Sequence, residues 1–217
     1  MRTVFLSAAV LLFASSGFAG TVYDNFTGYS PYWNPLGYPN TATYGETFTA
    51  PTNGDTNLQS FGFYMAGPVT SGDMIVSAYI ATWTGSNAGT LLFTSPSIDY
   101  ANTGDAELTF STGGLSLTGG ANYVAFLSIS QYYGQSSGES YISAGDPTIP
   151  GGGFVYYNNG GSFGDLFSNV WDSTGLQPDW AITATFDPGS GVPEPGTVIL
   201  LGAGLLAVMG IRRRLTS

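Results

Sequence analysis

The residues with a capacity for chemistry in this chain are carboxylates. Between Thr3 and Ile211 there is no Lys, Arg, His or Cys. General acid–base catalysis most often uses His, and nucleophile-plus-base arrangements need His, Cys or Lys beside the nucleophile. An Arg or Lys clamp for a developing oxyanion or phosphoryl group is missing too. The one common mechanism this inventory permits is glycoside hydrolysis, which needs two Asp or Glu groups about 5 to 9.5 Å apart. Glu46, Glu107 and Glu139 are candidate members of such a pair, with Asp73 and Asp99 behind them. Their spacing selects no two, and solvated turn or strand-edge carboxylates explain them all. The expectation is a protein that is not an enzyme and has no catalytic residues.

Two other patterns offer binding rather than reaction. Asn53-x-Asp55-x-Asn57 places three oxygen-bearing side chains at alternate positions, like the start of a calcium loop, but Leu58 stands where that loop needs Gly and no glutamate closes it. A plain turn is expected there, and no cofactor or metal site. Calcium could still be held by carboxylates and carbonyls from separate loops, which the sequence does not locate. The second pattern is aromatic: Tyr32-Trp33, Tyr38, Tyr132-Tyr133, Tyr156-Tyr157 and Trp171 fall in or beside Gly-, Asn- and Ser-rich stretches. Flat rings near amides and hydroxyls are the materials of a sugar-binding face, and Tyr32, Trp33, Tyr132 and Tyr133 are the candidate glycan contacts. Aromatics also fill cores, and adjacent residues on a strand point to opposite faces, so at least one of each pair is expected to be structural.

Charge limits the partners. The chain carries 4 basic and 14 acidic residues, a formal net charge of −10. The basic residues are Arg2 at one end and Arg212, Arg213 and Arg214 at the other. A body without cations cannot neutralise a phosphate backbone, so no nucleic acid is expected, nor attachment to an anionic lipid surface by charge. The absence of Cys leaves packing and backbone pairing to hold the fold.

The elements that must position these residues read as strands. In Asp179 to Asp187, "DWAITATFD", Trp180, Ile182, Ala184 and Phe186 share one parity, the period of a half-buried strand. "AELTFST" from Ala106 repeats it, with Leu108 and Phe110 inward and Glu107 and Thr109 outward. "MIVSAYIATW" from Met74 and "NYVAFLSIS" from Asn122 are apolar on both parities, as central strands covered on both faces would be. Val22 to Phe26, Thr41 to Thr49, Leu58 to Met65, Thr90 to Ile98 and Gly153 to Asn158 complete about nine strands, broken by turn signals such as Ser71-Gly72-Asp73 and Gly119-Gly120. With no capped helical stripe and no fixed-period repeat, the expected fold is all-β, an antiparallel β-sandwich of jelly-roll-like type rather than a solenoid.

The ends read as addressing segments. Arg2, the apolar run Val4 to Ala14 and Gly17-Phe18-Ala19 make residues 1–19 a signal peptide with cleavage after Ala19. Residues 20–188 form the sandwich domain and 189–192 a linker. Pro193 and Pro195 then stiffen the backbone and display Glu194 between them. The apolar run 196–211 would reach about 24 Å as a helix against a hydrocarbon core of about 30 Å, a short transmembrane helix. Arg212, Arg213 and Arg214 act as a cytoplasmic stop.

"VPEPGTVILLGAGLLAVMGIRRR" resembles the PEP-CTERM sorting signal: a Pro-Glu-Pro motif, a short transmembrane segment and a basic cluster. The resemblance implies recognition at Pro193, Glu194 and Pro195 by an exosortase-type membrane processing enzyme of exopolysaccharide-producing Gram-negative bacteria. It implies a protein anchored in the inner membrane before processing and then found at the cell surface or in the extracellular matrix. The bland alternative is an ordinary single-pass anchor. More loosely, "YIATWTGSNAGTLLFTS", "GGLSLTGGANYVAFLS" and "DWAITATF" resemble secreted sandwich domains that precede such choice-of-anchor tails. The expected function is that of a sorted, non-enzymatic exported protein associated with exopolysaccharide or biofilm. A carbohydrate-binding module and a carboxylate-pair glycoside hydrolase are the alternatives.

Overall fold

Alternation along the strands decides what is buried. Trp180, Ile182, Ala184 and Phe186 all lie in the main core, while Thr183 and Thr185 of the opposite parity are half-exposed. The structure, a computed structural model, describes residues 20–188 apart from 71, 102–103 and 174–178. The expected signal peptide with its cleavage at Ala19, the expected linker and 196–211 helix, and Pro193, Glu194, Pro195, Arg212, Arg213 and Arg214 lie outside the described residues. Among the described residues no helix is long and apolar enough to cross a membrane.

The described residues are nearly all β, in two antiparallel sheets. In order the strands are β1 (Val22–Asp24), β2 (Phe26–Gly37), β3 (Thr43–Thr49), β4 (Asn57–Thr70), β5 (Met74–Trp83), β6 (Ala88–Thr94), β7 (Ile98–Tyr100), β8 (Asp105–Ser116), β9 (Asn122–Ser128), β10 (Glu139–Gly145), β11 (Gly153–Tyr157), β12 (Asp172–Ser173), β13 (Asp179–Trp180) and β14 (Ile182–Asp187). The first sheet runs β1-β14-β4-β10-β13, with β8 also on β4 and β2 also on β10. The second runs β12-β11-β3-β9-β5-β6, with β7 also on β5. Phe61, Phe63 and Met65 of β4 and Phe110 of β8 meet Phe48, Ile80, Tyr123 and Leu127 of the second sheet in one core.

The two strands read as doubly covered are so. Val76, Ala78 and Ile80 of β5 face the main core, while Tyr79 and Ala81 face a smaller one on the far side of the second sheet. Val124 and Phe126 of β9 join that second core. Its cover is the segment holding a short 3-10 helix, Phe163–Phe167, which delivers Leu166 and Trp171. The indole N–H of Trp171 donates to the Leu166 carbonyl at 2.8 Å and fastens that cover.

Among the described residues fourteen strands replace the nine or so expected, and the excess has a physical cause. β10, "ESYISAG", is central yet polar, because its buried hydroxyls bond to backbone: Ser140 donates to the Gly67 carbonyl at 2.9 Å and Ser143 to the Gly28 carbonyl at 3.2 Å. β2 contains Pro31 and Pro35 and survives as a strand because β10 is its one strand partner, with only an isolated bridge from Leu36 to Thr41 besides. Thr90 to Ile98 splits into β6 and β7 at Ser95, whose hydroxyl accepts from the Ala78 amide at 2.9 Å and donates to the Pro96 carbonyl at 2.8 Å.

Candidate functional site

The carboxylates of the sequence reading fall in separate settings. Glu46 on β3 is 0% exposed and reaches across the sandwich. Its Oε2 accepts from the backbone N–H of Trp180, on the other sheet, at 3.0 Å, while Oε1 has no hydrogen-bond partner. The backbone amides of Trp180 and Gly153 both favour its charged form. Burial pushes its pKa well above the usual carboxylate range, the neighbouring Asp179 pushes further, and the two amides oppose them. Asp179 is raised as well, by burial. A body without cations has only a proton to neutralise this pair from within.

Glu139, on β10, is buried and accepts from the Asn40 side-chain amide. It is also among the groups that hold the Tyr44 phenol up at about 12, after burial and Tyr156 and against a hydrogen bond with Thr41. Glu107 is exposed on β8, and Asp73 and Asp99 are exposed at β5 and β7. The residues Asn53 to Asn57 form a turn that spends its own polar groups. Asn53 Oδ1 accepts from the Asp55 amide at 3.1 Å, and Asp55 Oδ2 accepts from the Thr21 hydroxyl at 2.7 Å and from Asn53 Nδ2 at 3.1 Å.

The aromatic candidates also separate. Tyr32 and Trp33 lie on β2, where the backbone of Tyr32 pairs with Ile142 of β10. Tyr132 ends a 3-10 turn, Ser130–Tyr132, and is half-buried. Tyr133 packs on the main core, donates its hydroxyl to the Pro39 carbonyl at 2.7 Å and meets Tyr38 edge-on at 5.0 Å, so it braces the turn before β3. Tyr156 and Tyr157 face opposite cores, as adjacent strand residues must, and Trp171 is interior.

A different aromatic group stands on the outer face of the first sheet. Phe26 stacks on Tyr64 with centroids 3.9 Å apart and planes 9° from parallel. Tyr29, 42% exposed, sits edge-on to Phe26 at 4.9 Å and to Tyr64 at 6.2 Å. The local chain is built to hold them. Asp24 Oδ1 accepts from the Phe26 amide at 3.0 Å, and the Ser143 hydroxyl accepts from the Ser30 amide at 3.1 Å while donating to Gly28. Tyr64 stands directly opposite Glu107, and the next row across four strands is Asp24, Thr183, Gly62 and Thr109. Directly opposed residues share a face. Burial, then Glu107, then Asp24 raise the Tyr64 phenol to about 12, so it is a protonated donor at any physiological pH. The outward parity of Tyr64 was readable from Phe61, Phe63 and Met65. The approach of Phe26 and Tyr29 required the pairing of β2 with β10 and of β10 with β4, for which no local signal exists.

No curated protein matches the chain. Residues 191–214 match the PEP-CTERM protein-sorting motif, which implies an exported protein, anchored in a membrane before processing and sorted by an exosortase.

Proposed function

We propose that this protein is a sorted surface or matrix component of a Gram-negative cell: an exported β-sandwich whose job is done by display, in association with exopolysaccharide, and not by catalysis. The match over residues 191–214 carries the reading. Pro193, Glu194 and Pro195 are the part offered to the exosortase, the 196–211 segment holds the chain in the inner membrane meanwhile, and Arg212, Arg213 and Arg214 stop its passage. Two features of the body support the non-enzymatic part. Glu46 is inaccessible to a sugar and a water, and its carboxyl neighbour is Asp179 and not another of the candidates. Glu107, by contrast, is on the open outer face of the opposite sheet.

The test is fractionation in a host with the processing machinery. The unaltered chain should leave the inner membrane, and Glu194→Gln or a Pro193→Ala, Pro195→Ala double variant should accumulate there. Equal release of all three would refute recognition at this motif. Sugar release by the purified chain from a polysaccharide, abolished by one Glu→Gln change, would refute the non-enzymatic part.

A further inference from the structure

The two outer faces of the sandwich are treated differently. The second sheet's outer face is apolar, with Tyr79, Val124 and Phe126, and the chain covers it with its own Phe163–Trp171 segment. On the first sheet, the described outer face around Tyr64 carries hydroxyls, the Glu107 and Asp24 carboxylates and aromatic rings, and the backbone that carries Phe26 and Tyr29 is fixed by side-chain hydrogen bonds at the Phe26 and Ser30 amides. Gly62, at its middle, is itself buried, because Glu107 and Thr183 close over it: a Cβ there would come within 2.9 Å of Glu107 Oε1 and 3.2 Å of Thr183 Cγ2. The Glu107 carboxylate is thereby drawn over the row between Thr183 and Thr109, where it accepts from the Thr109 hydroxyl at 3.2 Å, with the ring cluster beside it. Preorganised rings need no ordering on binding, which lowers the entropic cost of a contact.

Chemistry narrows the occupant. An aromatic face offers apolar contact area with a polar tip, and Glu107 and the threonines accept and donate hydrogen bonds around it. Phosphate, sulfate and uronate groups are repelled by Glu107 and Asp24, and no cation in the body compensates. A purely apolar protein partner would take the Glu107 and Asp24 carboxylates out of water, leaving the Thr109 hydroxyl at 3.2 Å and the Phe26 amide at 3.0 Å in its place, at about 1–3 kcal/mol for each unsatisfied group. A chain of uncharged pyranose rings satisfies both halves of the surface, with C–H faces for the rings and hydroxyls for the polar row.

We infer that this face binds an uncharged polysaccharide, Tyr29 and Tyr64 taking the C–H face of a sugar ring and Glu107, Thr109 and Thr183 its hydroxyls. The site belongs to the body of the chain and stands whether or not residues 191–214 are processed.

Affinity electrophoresis of the full chain, in a detergent without a sugar headgroup, tests it with gels containing a neutral α-glucan, β-glucan, mannan or galactan, and a polyuronate as the charged control. At least one neutral polymer should retard the protein and the polyuronate should not. Tyr29→Ala, at an exposed ring, should weaken retardation at least about tenfold, equivalent to about 1.4 kcal/mol. Glu107→Gln should weaken it several-fold, and Val22→Ala, at the edge of the same sheet, should leave it unchanged. Melting curves of the variants separate lost binding from lost fold. No retardation by any neutral polymer, retardation indifferent to both Tyr29→Ala and Glu107→Gln, or self-association of the chain that Tyr29→Ala abolishes would each overturn the assignment.

Discussion

Glu46 should make this protein less stable as the pH rises above the range in which an unfolded carboxyl titrates. Its carboxyl is raised in the folded state by burial and by Asp179, whereas in the unfolded chain it titrates near 4.3. The folded state therefore holds a proton that the unfolded state gives up. The stabilisation is complete below pH ~4.3 and is lost as pH climbs to the folded pKa, by about 1.4 kcal/mol for each unit separating the two values. Asp179 contributes with the same sign. General repulsion in a chain of net charge −10 also grows with pH, so the wild type alone does not isolate the effect. Glu46→Gln does: it keeps the shape and an oxygen for the Trp180 N–H but cannot ionise. Thermal melts from pH 5 to 8 should show a steep fall for the wild type and a much shallower one for Glu46→Gln. Glu46→Ala should differ in kind, because it strands the Trp180 N–H and opens a cavity. These costs sum to about 3 kcal/mol, or roughly 10 °C in melting temperature for a domain of this size. A wild-type melt that is flat or rising over that range, or a Glu46→Gln slope equal to the wild type, would refute the reasoning.

Other expected outcomes follow from single hydrogen-bonding residues. Asn25 accepts from the Ile182 amide at 2.7 Å and donates to the carbonyls of Trp180 and Asp146, stitching the break between β13 and β14 to the start of β2. Asn25→Ala should cost about 2–3 kcal/mol in chemical denaturation, and Asn25→Asp more, because a buried carboxylate would face two carbonyl oxygens. Trp171→Phe removes the donor to Leu166 and should loosen the cover over the second core. Hydrogen exchange in residues 163–171 should quicken while β4 and β14 keep their protection.

What could be read from sequence tracks where the driving force is local. β5 was legible to the residue, and β9 and the buried parity of β14 nearly so, because burial of apolar side chains on one or both faces leaves a periodic mark. β10 left none: its interior Ser140, Ser143 and Glu139 look like loop residues until the carbonyls and amide that satisfy them are in place. Prolines hid β2 for a similar reason, since an edge strand tolerates what a central strand does not. The same limit applies to sites. Tyr133 and Trp171 stood among the aromatics that could make a sugar-binding face because they lie in or beside Gly-, Ser- and Asn-rich stretches, yet both are bonded into the fold. The ring cluster at Tyr64 depends on two strand pairings distant in sequence, so composition could raise the prospect of a sugar-binding face but not place it. The sorting motif is the opposite case, because a processing enzyme reads a short linear segment and the information is wholly in its order.

The account's central claim concerns that segment. The measurement that bears on it most directly is the intact mass of the mature protein recovered from outside the cells of a host that carries the processing enzyme. The account predicts a chain beginning at Gly20 and lacking the 196–211 segment and the three arginines, with the full C-terminus retained when the enzyme is deleted. A secreted chain that still ends at Ser217 in the processing-competent host would contradict it.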